Sequence, residues 1–357
     1  MIAAFHPLAA LLLLLLCPAI SAAQQAAKVG FIYNESIGDV GWTHQHDLGR
    51  QEMEKALASR VAVKTVPNTA EGTDGARAAR ELTVDGSKMI FAAGFGYMRS
   101  ILRIAADNPG TCYAVATGFV TSPNVSGYTA RWYEGGYLAG IVAGKSTRLN
   151  SIGFVGAHAV PDVMWYLNAF VLGVRSVNPN AIVRAVFVGS WSAPQKETET
   201  AISLINQGVD VIAHYTNSPA VVVASDARDV ASISFHSDMR KHAPKHYLTG
   251  VTHHWGNYYT KMASEVIAGR CQGSLYVGGI KEGNIKLAPF SSRVTKDVVD
   301  LVDSKSREIV EGRLKIFSGP IKDTQGIVRV QPGAVLSHMD LQKAFWFVQG
   351  VSVAYSL

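Results

Sequence analysis

Eleven histidines stand among the 357 residues, and they are the first candidates for chemistry. His158, His214, His236, His253 and His254 fall in or just after apolar runs, where zinc or another transition metal could find imidazole ligands. Their spacing argues against a metal. His44 and His46 are two apart, so a helix turns them to different faces, and His253 and His254 are adjacent. Hydrogen-bonded, partly buried histidines are expected instead, with no metal and no cofactor. The acids are no more suggestive: Asp39, Asp238 and Glu134 are not marked as a catalytic pair, and Glu134 is expected to anchor a loop or pair with Arg131. No G-x-S-x-G elbow and no H-E-x-x-H motif occurs. "AGIVAGKST" (139–147) ends like a phosphate loop, but Ala139 stands where glycine is required, and the stretch reads as a helix of small residues. An enzyme is not expected.

Aromatic residues are the stronger signal. Five of the six tryptophans (Trp42, Trp132, Trp165, Trp191 and Trp255) fall at or near the ends of apolar runs. A cleft of aromatic walls with a few polar groups suits a flat, neutral ring, held by stacking and read along its edges. Such a lining suits phosphate badly.

The elements that must position these residues alternate regularly. Strands are expected at 28–34, 60–67, 88–94, 113–118 and 126–130, with helices near 43–58 and 73–85. The plan then restarts, with strands at 151–157, 182–189, 210–216 and 231–237 and helices near 162–177 and 195–207. Such alternation predicts parallel sheets with right-handed crossovers. The restart predicts an α/β protein of two doubly wound lobes joined by a hinge. The expected lobes are 24–147 and 148–250, with 251–357 returning mostly to the first lobe and crossing the hinge. Ligands of open α/β sheets lie beyond the carboxyl ends of the strands. That edge collects Asp39, Trp42 and Thr43; Phe95 and Gly96; Thr117 and Gly118; Trp165; Trp191; Asn217; His236; and His253 with Trp255.

Composition sets the remaining bounds. The apolar run Leu8–Leu16, followed by Pro18 and Ser21-Ala22-Ala23, has the form of a secretory signal peptide over residues 1–23. It is too short to span a bilayer. Removing 23 residues from 357 leaves 334, enough for two domains. Leu16 stands where a lipoprotein signal has a small residue, so an anchor at Cys17 is disfavoured and a periplasmic protein is expected. The net charge of +6 is spread along the chain, and no nucleic-acid motif accompanies Arg240, Lys241 and Lys245. After cleavage Cys112 and Cys271 remain, equally consistent with a disulfide and with two buried thiols.

Taken together, "KVGFIYNESIGDVGWTHQHDLGR", "IFAAGFGYM", "ATGFVTSPNVSGYTARWYEGGYLAGIVAGK", "NAFVLGVRSVNP", "SDM" and "FSGPIKDTQGIVRVQPGAVLS" resemble the basic membrane protein family, the PnrA-like substrate-binding proteins of ABC transporters. The resemblance implies a type I periplasmic binding protein fold that closes on a purine and delivers it to a permease in the inner membrane. It implies a monomer with a small-molecule partner and no nucleic acid. In the family's D-x-S-F-N pattern the phenylalanine stacks on the ligand. Here "DVGWT" sets Trp42 in that place and Thr43 where the asparagine would be. Nucleoside binders hold the ribose with an aspartate and a lysine; His236 and His253 stand at those positions, which favours a base without sugar, such as adenine. The base-binding subgroup carries acids at His236, His253 and His254, so these histidines point to a different ring, deaminated, oxidised or otherwise modified. By this reading Phe95, Trp165 and Trp191 complete the apolar walls, Asn217, Thr117, His236 and His253 bond the ring's edge, and Asp39 fixes the first loop or reaches the ligand. The alternatives are a binder of a nucleoside or another small molecule, a periplasmic sensor acting on a membrane receptor, and a metal binder using the histidines.

Overall fold

The computed structural model describes residues 25–343 and 345–355. The signal-peptide and Cys17 expectations therefore lie outside the described residues. β1 (Ala27–Tyr33), α1 (Gly41–Leu57), β2 (Val61–Val66), α2 (Thr73–Val84), β3 (Met89–Ala93), α3 (Met98–Asp107), β4 (Cys112–Ala116) and β5 (Val125–Ala130) build the first lobe. The second contains α4 (Trp132–Ser146), β6 (Ser151–Gly156), α5 (Pro161–Val177), β7 (Ile182–Phe187), α6 (Pro194–Asn206), β8 (Val211–Tyr215), α7 (Ala220–Asp226), β9 (Ala231–His236) and β10 (Tyr247–His253). There follow α8 (Gly256–Ile267), β11 (Leu275–Gly278), β12 (Ile285–Leu287), α9 (Lys296–Val310), β13 (Ile321–Lys322), β14 (Val328–Val330), α10 (His338–Leu341) and β15 (Val351–Tyr355).

Strand order is β11-β5-β4-β3-β1-β2 in the first sheet and β12-β10-β9-β8-β6-β7-β15 in the second. Both carry the same doubly wound order, with β1 and β6 as equivalent strands. Every pairing in these two sheets is parallel except β10 with β12, for instance Phe31 opposite Phe91 and Phe154 opposite Ala213. "MIFAA", "CYAVA" and "VIAHY" are buried along their whole length, as strands covered by helices on both faces must be.

Two expected boundaries shift. α4, assigned by pattern to the first lobe, packs on α5 of the second. Its glycines make the reason plain: a Cβ on Gly140 would lie 2.1 Å from the Phe170 carbonyl oxygen, and one on Gly173 of α5 would lie 2.0 Å from that of Tyr137. The two helix backbones nearly touch, and only glycine fits between them. The crossing therefore falls at Ala130–Trp132. The segment 251–357, expected mostly in the first lobe, divides between the two: α8 packs on α1 and β11 pairs with β5, whereas β12 and β15 edge the second sheet.

The connections β5–α4, β10–α8 and β11–β12 join the lobes, and they are stitched together. Arg131 N–H donates to the Gly278 carbonyl at 2.7 Å, and its guanidinium bonds Glu134, Glu282 and the Val277 carbonyl. Asn284 Nδ2 donates to the His254 carbonyl at 2.8 Å and accepts from Tyr276 on Oδ1. Cys112 at the start of β4 and Cys271 after α8 form a disulfide, resolving the alternative left open above.

Candidate functional site

α1 buries an unusual face for a surface helix: Thr43, Gln45, His46, Asp47 and Gly49 accompany Met53 and Leu57. Its first residue brings the lobes together. Gly41 has φ +89°, donates its N–H to Ser237 Oγ at 3.0 Å, and lies so close to the second lobe that a Cβ would sit 2.4 Å from the Asn217 carbonyl oxygen. Trp42 follows, half-buried, with its indole N–H tied to the Ala93 carbonyl at 2.9 Å. Its ring meets His46 (4.3 Å between centroids) from its own helix, Trp132 (6.0 Å) from the crossing, and His236 (5.7 Å) and His253 (5.3 Å) from the second lobe.

The residues around Trp42 form two hydrogen-bonded chains. In one, Trp255 Nε1 donates to His253 Nδ1 at 2.7 Å, and His253 Nε2 lies 3.1 Å from His236 Nδ1. In the other, His46 Nδ1 meets the Tyr259 hydroxyl at 2.5 Å, which meets the Tyr128 hydroxyl at 2.9 Å. His46 also stacks on Trp255, 5.4 Å away with planes 7° apart. Burial holds the His46 imidazole down to about 3, and pushes His236 and His253 well below the ordinary histidine range. These rings are neutral at physiological pH.

On the second lobe Glu197 orders the loop after β8. Its carboxylate accepts from Thr216 Oγ1 (2.8 Å), Ser218 Oγ (2.6 Å) and the Ala193 N–H (2.8 Å). The loop then presents Asn217, whose Nδ2 reaches across to Glu35 at 2.8 Å. At the outer lip Lys241 pairs with Asp39 at 2.5 Å, with His242 at 3.4 Å from the same carboxylate. Beside the seam, Trp132, Trp165 and Asp162 surround a cavity of about 10 Å³, roughly one water molecule in size. Burial pushes the Asp162 carboxyl up, against the Gln342 hydrogen bond and the nearby Trp132 N–H. The indole N–H of Trp165 lacks a hydrogen-bond partner.

Of the residues singled out by sequence, Trp42, His236, His253 and Trp255 converge. Thr43 is buried beside them, its hydroxyl 3.5 Å from Asn34 Oδ1. Trp165 is buried edge-on against Phe317 and Trp346, each 5.5 Å away. Asn217 sits on the seam but is engaged with Glu35. The others are engaged with partners of their own or exposed. Asp39 is exposed at the lip and held by Lys241, an ion pair between the lobes. Phe95 is 55% exposed and stacked on Phe119; Trp191 is 40% exposed against His158. Neither forms a buried wall, because each loop turns its ring toward solvent. Gly96 donates its N–H to Glu71, and Gly118 is fitted against Met98 and the Val115 carbonyl. Thr117, at φ +54°, bonds its hydroxyl to the Ala116 carbonyl. Sequence reasoning missed His46, Tyr128, Tyr259, Asp162, Glu197 and Ser237 as site residues. For His46 a signal existed, since Thr43, His46 and Asp47 share one helical face with Met53 and Leu57. Among the described residues no group of three or more His, Cys, Asp or Glu side chains could hold a metal ion.

Two α/β lobes of equal winding, three stitched crossings and a ring-lined seam define a bilobal solute-binding protein. Solved structures agree on the fold: an ABC transporter solute-binding protein of Conexibacter woesei superposes with a TM-score of 0.69 at 22% identity, over 81% of this chain and 98% of that one. Residues 26–325 match the model of the PnrA-like ABC transporter substrate-binding proteins, and the chain belongs to that family. Its members bind substrates and are not enzymes. A purine-binding protein of Brucella abortus is 38% identical over 329 residues, covering 92% of this chain and 94% of the relative. A protein of Haloferax volcanii named as a candidate ABC transporter glucose-binding protein is 30% identical, covering 83% and 75%. Proteins of this class act outside the cytoplasm. Among the described residues no helix is long and apolar enough to cross a membrane.

Proposed function

We propose that this protein binds a purine-like ring between its lobes, in the periplasm, and presents it to an ABC permease of the inner membrane. The observation that carries the reading is the setting of Trp42. Its N–H is spent on the Ala93 carbonyl, which fixes the indole plane at the mouth of a neutral, aromatic seam contributed by both lobes. A fixed ring offers a stacking face at little entropic cost, and neutral imidazoles offer edge hydrogen bonds without demanding a charged ligand. The purine-binding relative supports the same class. Among the described residues the cavity beside Trp132 is water-sized, too small for a base. Ligand therefore enters by hinge opening about the three crossings, and contact with both lobes favours closure. The disulfide fits export to an oxidising compartment.

The test is calorimetric titration of the mature protein with purine bases, nucleosides and sugars. A purine base is expected to bind, and Trp42→Ala to weaken it by the worth of one stacked base, about 1–3 kcal/mol. Binding of a sugar alone, undisturbed by Trp42→Ala, would sink the reading.

A further inference from the structure

We infer that His236 presents its Nε2–H to the ligand as a fixed hydrogen-bond donor, selecting rings that carry an acceptor, such as a carbonyl oxygen, at that edge and rejecting those with an amine there. The inference rests on the purine reading above and narrows it to the oxo-purines.

The argument follows the proton through the chain of rings. An indole can only donate, so His253 Nδ1, 2.7 Å from Trp255 Nε1, must accept. A neutral imidazole has one N–H, which places the His253 proton on Nε2. That proton points to His236 Nδ1 at 3.1 Å, which must then accept, leaving the His236 proton on Nε2. His236 Nε2 is buried, with the residue 2% exposed, and has no hydrogen-bond partner. The ring stands edge-to-face to Trp42, 5.7 Å away across the seam. His236 also adopts φ +70°, a conformation rare for a residue with a side chain. Neutrality of both imidazoles follows from their burial. The indole N–H of Trp165, at the cavity beside the seam, is another buried donor without a partner. An amine brought against a fixed donor leaves that donor and an amine N–H both unpaired in a buried site, whereas a carbonyl accepts from the donor and leaves neither unpaired.

The test compares hypoxanthine and xanthine with adenine by calorimetry on the mature protein and on His236→Gln, whose amide can turn either its donor or its acceptor outward. The oxo-purines are expected to bind at least about tenfold tighter than adenine, with the ratio falling below about threefold in the variant. Imidazole ¹⁵N shifts should show the Nε2–H tautomer on both His236 and His253; Nδ1–H on His236 would overturn the inference without any ligand. Adenine binding as tightly as hypoxanthine would overturn it while leaving the purine reading intact. Absence of binding by all three bases, with tight binding of a sugar or another small molecule, would remove both.

Discussion

Acidification to pH 5 should weaken the fold steeply, because the seam is built on imidazoles that cannot take up a proton where they sit. His46 and His214 are both fully buried, and desolvation brings each down to about 3. In the unfolded chain both titrate near 6.5. As pH falls through 6.5 the unfolded chain gains protons that the folded one refuses, so stability is full above that pH and is lost progressively toward about 3. At pH 5 each group removes about 2 kcal/mol, so the pair removes about 4 kcal/mol, a large share of a typical total. His236, His253 and His254 act in the same direction. Glu35 and Asp162 act against it, since burial raises both carboxyls. The carboxylates held low by partners, such as Asp47 and Asp323, lose their contribution only below the ordinary carboxylate range. Between pH 7.5 and 5 the histidines therefore dominate. Urea unfolding followed by circular dichroism at pH 7.5, 6.5, 5.5 and 5 would measure the slope, and His214→Gln should flatten it by one proton's share, about 1.4 kcal/mol per pH unit. A loss under about 1 kcal/mol across that range would refute the reasoning.

Other outcomes follow from single contacts. Gly41→Ala places a Cβ 2.4 Å from the Asn217 carbonyl oxygen of the other lobe and strains a backbone at φ +89°; ligand affinity measured by calorimetry should fall about tenfold or more, and thermal stability without ligand by about 1–2 kcal/mol. Gly140→Ala meets the Phe170 carbonyl at 2.1 Å inside one lobe, so it should lower stability by about 1–3 kcal/mol or more in urea unfolding, with or without ligand. Reducing the Cys112–Cys271 disulfide, which closes a loop of sequence separation 159, should lower stability by up to about 5 kcal/mol on the chain-entropy scale, read from unfolding curves with and without reductant.

Much of the fold was legible because buried parallel strands leave nearly continuous apolar runs. "KMIFAAG" and "DVIAHYT" could hardly be anything else, and both form strands within a residue or two of the expected ends. The lobe boundary was not legible. "GGYLAGIVAGK" shows a helix of small residues, but which helix its glycines press against depends on a partner, α5, that local pattern does not name. The site was half legible. Trp42, His236, His253 and Trp255 announced themselves by falling at strand ends. Phe95 and Trp191 fall there equally, yet their loops turn the rings outward. His46 was discounted because its neighbour His44 spoiled a metal site, although its burial depends on the helical face and not on His44.

The seam has two layers of different character: the exposed Lys241–Asp39 ion pair at the lip, and buried hydrogen-bonded rings beneath. Exposed ion pairs contribute below about 1 kcal/mol and are screened by salt. Kinetically the layers then divide the work. Contacts at the lip govern how often the clamp stands open to an arriving molecule, and the rings govern how long that molecule stays. Salt should alter the rate of capture while leaving residence time almost untouched, so a scavenger of this build can be retuned for a dilute or a salty environment by changing its lip alone.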